Sequence, residues 1–74
     1  MNMPERREKR KRWIARGDLA VEVEVEVIFP KEDPSEPCLE AATVRRLDEI
    51  AQRVAQGDIE YLRTVGRVYR AVPT

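Results

Sequence analysis

Residues 19–29 alternate with a period of two. Val21, Val23, Val25, Val27 and Phe29 fall on one face, and Glu22, Glu24 and Glu26 fall on the other. A period of two in β-branched and aromatic residues predicts a strand with one buried side. Pro30 ends it, and the PKEDPSEP stretch of residues 30–37 reads as a loop.

The period then changes to that of a helix. Over residues 38–56, Leu39, Thr43, Val44, Leu47, Ile50, Ala51, Val54 and Ala55 fill one arc of a helical wheel, while Arg45, Arg46, Asp48, Glu49, Gln52, Arg53 and Gln56 fill the other. Pro37 suits the first helical position and Gly57 the residue just past the end. Asp58 caps a second, short helix, IEYLRTV, which Gly66 stops. Residues 67–72, RVYRAV, read as a second strand ended by Pro73.

The N-terminal stretch carries neither period. PERREKRKRWIAR, residues 4–16, has helix-type Glu5–Lys9 and Glu8–Arg12 pairs and a stop at Gly17, but only Trp13 and Ile14 to bury. It reads as a basic arm, frayed helix or disordered, over residues 1–16. The other option is that Trp13 belongs to a short strand turning at Arg16, Gly17 and Asp18. Residues 17–74 then form a single small α+β domain, a β-α-α-β unit. Its two strands could pair in parallel through a right-handed crossover, and the sequence leaves the choice between parallel and antiparallel pairing open. The eleven-residue strand would outrun its short partner, so a second chain is expected to complete the sheet.

Composition sharpens that expectation. Of the 74 residues, the arm and the proline-rich loop add little to a core. So short a core rarely supplies more than about 3–5 kcal/mol of net stability unaided. Cys38 is the lone cysteine and histidine is absent, so neither a disulfide nor a Cys/His metal site can staple the fold. Partners are therefore expected: itself, as a homodimer or higher, or a larger protein assembly. No cofactor or small-molecule substrate is expected. A lone thiol and many free charges suit the cytoplasm. No apolar run reaches the ~18 residues of a membrane span, and no signal-peptide core follows the basic start.

Net charge is zero but segregated: +5 over residues 1–16, −7 over 17–43 and +2 over 44–74. Glu22, Glu24 and Glu26 are the candidate acidic face for a basic partner. Val21, Val23, Val25, Val27 and Phe29 are the candidate packing and assembly face. Arg6, Arg7, Lys9, Arg10, Lys11, Arg12 and Trp13 are the candidate nucleic-acid arm, which could neutralise phosphates and stack a base. Against this, the arm could instead dock on an acidic protein surface, the chain's own glutamates included. No nucleophile–base pair or phosphate loop stands out, so an enzyme is not expected. The expected function is that of a non-catalytic protein–protein interaction module acting by strand pairing and charge complementarity. In type, though in no motif, it is similar to antitoxins and to accessory subunits of larger complexes.

Overall fold

The computed structural model describes residues 5–33 and 35–72. The first four residues of the expected arm, Pro34 of the loop and Pro73 lie outside them. Five elements follow in order: β1 (Arg6–Arg16), β2 (Leu19–Phe29), α1 (Ala41–Gln56), α2 (Ile59–Val65) and β3 (Arg67–Arg70). The strands form one antiparallel sheet in the order β1-β2-β3, with the helices on one face. This is a small α+β fold. Among the described residues no helix is long and apolar enough to cross a membrane.

The valine face of β2 is the centre of the core. Leu19, Val21, Val23, Val25 and Val27 are buried with Ile50 and Val54 of α1 and Leu62 of α2. Phe29 packs at the margin. Full burial of one such side chain is worth about 1.5–3 kcal/mol, and alternation delivers five of them from one strand. Leu39 and Leu47 also pack against this core.

The helix ends follow from local chemistry. Gly57 has φ +70, and its N–H donates to the Val54 carbonyl while that of Asp58 donates to Arg53. This pair of bonds satisfies carbonyls that the end of α1 would leave open. The Asp58 carboxylate accepts from the Tyr61 N–H and caps α2. Gly66 has a different reason to be glycine. A Cβ there would lie 2.1 Å from the Glu22 carbonyl oxygen, so α2 can run into β3 directly beside β2 only without a side chain.

Two expectations are corrected and one open point is resolved. Residues 6–16 are not a frayed helix or a disordered arm but an eleven-residue strand, paired with β2 from Arg6↔Phe29 to Arg16↔Leu19. The helix-type pairs offered a few tenths of a kcal/mol each to a helix with no apolar stripe to dock, whereas the strand pairs along the whole of β2 and sets Ile14 against the core. The unit therefore begins with a hairpin, and the chain itself supplies the strand that β2 needed along this side. The strand direction, which the sequence left open, is antiparallel, with Arg67–Arg70 of β3 paired to Leu19–Glu22 of β2. The reversal between α1 and α2 at Gly57 and Asp58 turns the chain once more than a single crossover would. Second, Val44, Ala51 and Ala55 of the expected apolar arc are exposed. Cys38 is also exposed, and its backbone bridges Ile28.

Candidate functional site

The hairpin turn fixes what β1 presents. Gly17, φ +63, and Asp18 form a two-residue loop between Arg16 and Leu19. Glycine at the first position with a positive φ, and none at Asp18, fits the II′ turn that matches strand twist. In such a hairpin the flanking pair is hydrogen-bonded, and bonding alternates from there. The even-numbered residues of β1 therefore bond to β2. The odd-numbered ones, Arg7, Lys9, Lys11, Trp13 and Ala15, direct their N–H and C=O groups away from the sheet. Nothing among the described residues pairs with this edge, since β1 ends the strand order.

The same pairing divides the side chains into two rows. On the face away from the helices stand Arg7, Lys9, Lys11 and Trp13, beside Glu26, Glu24 and Glu22 of β2. Arg7 meets Glu26 at 2.6 Å, Lys9 meets Glu24 at 3.7 Å and Lys11 meets Glu22 at 3.8 Å. Arg7 also donates to Glu40 at 2.5 Å and to Glu5 at 2.7 Å, tying β1 to the start of α1. Hydrogen bonds to Glu26, then Glu40 and Glu5, raise its pKa further above the usual arginine value. The three glutamates thus face the chain's own cations. Each exposed pair is worth little alone, but together they fix which side of β1 faces out.

On the helix side stand Arg6, Glu8, Arg10, Arg12, Ile14 and Arg16. Opposite them β2 offers Phe29, Val27, Val25, Val23, Val21 and Leu19, none of them acidic. Arg6 stacks over the Phe29 ring at 4.4 Å and pairs with Glu8 at 3.4 Å. Arg10 also pairs with Glu8. Arg12 and Arg16 have no ion pair among the described residues.

Two further features border this edge. On α1, Arg53 turns toward α2, stacking on Tyr61 at 4.8 Å and bonding Asp58 at 3.0 Å. Val44, Ala51 and Ala55 lie on the opposite flank, and α1 also packs on β1, so this exposed apolar flank is on the β1 side. Near the turn, the Trp13 and Tyr69 rings pack on the outer face in a tilted contact, centroids 4.9 Å apart, with Trp13 55 % exposed. Hydrogen bonding to Tyr69 raises the pKa of the neighbouring Arg67.

The candidate residues separate accordingly. The valines belong to the chain's own core, and the glutamates and the arm belong to one hairpin. Sequence reasoning missed Arg16, the Val44–Ala51–Ala55 flank and Tyr69. The option of Trp13 in a strand turning at Arg16, Gly17 and Asp18 is the one the structure shows, with a longer strand, Arg6–Arg16. Comparison with protein-family models, with curated proteins and with solved structures gives no match.

Proposed function

We propose that the chain is a non-catalytic protein-interaction module that takes a partner's strand on the open edge of β1. The observation that carries this reading is the edge itself: an eleven-residue outer strand with its odd-numbered backbone groups unpaired. A row of free N–H and C=O groups templates another strand. This keeps strand pairing as the mode of action but moves it from β2 to β1.

The nucleic-acid reading of the arm is the weaker one. Arg7, Lys9 and Lys11 already face Glu26, Glu24 and Glu22, and Arg6 and Arg10 share Glu8, so five of the arm's six cations meet carboxylates before any phosphate arrives.

Site-specific photocrosslinking in the native host tests the proposal. A crosslinker at Lys11 should give a discrete protein adduct, and one at Arg45 on the solvent side of α1 should not. Lys9→Pro removes an outward-facing N–H without touching the β1–β2 ladder, as edge positions allow, and should abolish the adduct. An adduct that survives Lys9→Pro, or none at Lys11, would contradict the reading.

A further inference from the structure

We infer that the strand accepted by β1 is an acidic one: an extended protein segment with carboxylates at alternate positions, set opposite Arg10 and Arg12 on the helix side. The inference rests on the strand-addition reading above.

The two rows of β1 differ in what they lack. The outer row is answered by Glu22, Glu24 and Glu26. The helix-side row faces only apolar residues of β2, and Glu8 is its one acid, shared by Arg6 and Arg10. Same-face neighbours on a strand stand about 7 Å apart, within the ~8 Å screening length of physiological salt. The cations of this row therefore repel one another. A strand added beside β1 would lie about 4.8 Å away. Carboxylates two residues apart on its helix-side face would meet Arg10 and Arg12 directly, as β2 meets the outer row.

Charge also excludes other occupants. Lysine and arginine on an edge discourage generic strand pairing. In a second copy paired antiparallel over the full strand, Arg10 would face Arg12 and Lys11 would face Lys11, and like charges directly opposite destabilise a sheet. A phosphate backbone would use both rows, but the outer one is engaged.

The test uses the full chain and three fluorescein-labelled peptides that alternate valine with glutamate, with glutamine or with lysine. Anisotropy is read at ~150 mM salt. The glutamate peptide should bind and the other two should bind at least about tenfold more weakly. Arg10→Glu with Arg12→Glu should weaken glutamate-peptide binding at least about tenfold, and the milder Arg12→Gln should weaken it measurably with an unchanged circular dichroism spectrum. Lys9→Pro should abolish it.

Equal binding of the glutamine peptide, still abolished by Lys9→Pro, would overturn the acidic partner while leaving strand addition standing. No binding by any peptide, with no Lys11 adduct, would sink both. Dimerisation in sedimentation that blocks peptide binding would assign the edge to a second copy. Displacement of the peptide by single-stranded or duplex nucleic acid at affinities tighter than ~10⁻⁶ M would assign it to nucleic acid. Either of these last two results overturns the inference.

Discussion

Gly66→Ala measures how closely α2 and β3 approach the central strand. The added Cβ would sit 2.1 Å from the Glu22 carbonyl oxygen, 3.0 Å from its carbon and 2.9 Å from a Val23 methyl. An ordinary carbon–oxygen contact is about 3.3 Å or more, so the backbones must separate by roughly 1.2 Å. Glu22 is in the centre of the sheet and its carbonyl cannot rotate away as a side chain could. The chain would yield at β3 instead, loosening the four pairs from Leu19↔Arg70 to Glu22↔Arg67. Overpacking costs about 1–3 kcal/mol, and a backbone neighbour puts this case near the top of that range. At about 4–8 °C per kcal/mol for a domain of this size, the melting temperature should fall by roughly 12–24 °C. Gly57→Ala is the control, because its Cβ meets nothing within 4 Å and only the positive φ is penalised. That penalty is about 1–2 kcal/mol. Trp13 fluorescence separates the two: loosening β3 parts Tyr69 from Trp13, whereas a change at Gly57 leaves the pair in place. A Gly66→Ala protein that melts within about 4 °C of the parent, with unchanged Trp13 emission, would refute this packing.

Two further outcomes follow from the core and the hairpin. Ile50→Ala, at a fully buried position, should cost about 2–5 kcal/mol, comparable with the whole stability expected at roughly 0.05–0.15 kcal/mol per residue. A urea titration should therefore show a large part of the variant unfolded without denaturant, and a midpoint close to the parent's would contradict the placement of α1. Removing residues 1–16 strips β1 from the full length of β2, and should abolish cooperative unfolding and disperse no amide resonances. A truncated chain that still melts cooperatively would mean that β1 is an appendage, as an arm would be.

The parts legible in the sequence are those specified by local chemistry. The alternation in β2 needs only its own eleven residues, and Gly57, Asp58 and Gly66 mark helix ends through bonds within one turn. β1 was hidden because its partners are distant. Lys9 and Lys11 meet Glu24 and Glu22, while Glu5–Lys9 and Glu8–Arg12 imitate the spacing of a helix. With no apolar alternation of its own, β1 is a strand because β2 makes it one. Folding the sequence about Gly17 and Asp18 sets Lys9 opposite Glu26 and Lys11 opposite Glu24, a complementarity that no single segment displays. The uncovered flank of α1 was hidden for another reason. Its apolar arc is wider than the part of it that packs on the core, and periodicity alone does not say which margin stays bare.

The open edge of β1 is tested most directly by residue-resolved amide hydrogen exchange over residues 6–16, in the free chain and with the glutamate–valine peptide. The even-numbered amides, bonded to β2, should be protected throughout. Those of residues 7, 9, 11, 13 and 15 should exchange rapidly in the free chain and become protected when the peptide binds. Uniformly fast exchange in the free chain would mean that the segment is an unstructured arm, and uniform protection without peptide would mean that the edge is already filled; either result would contradict an edge strand held open for a partner.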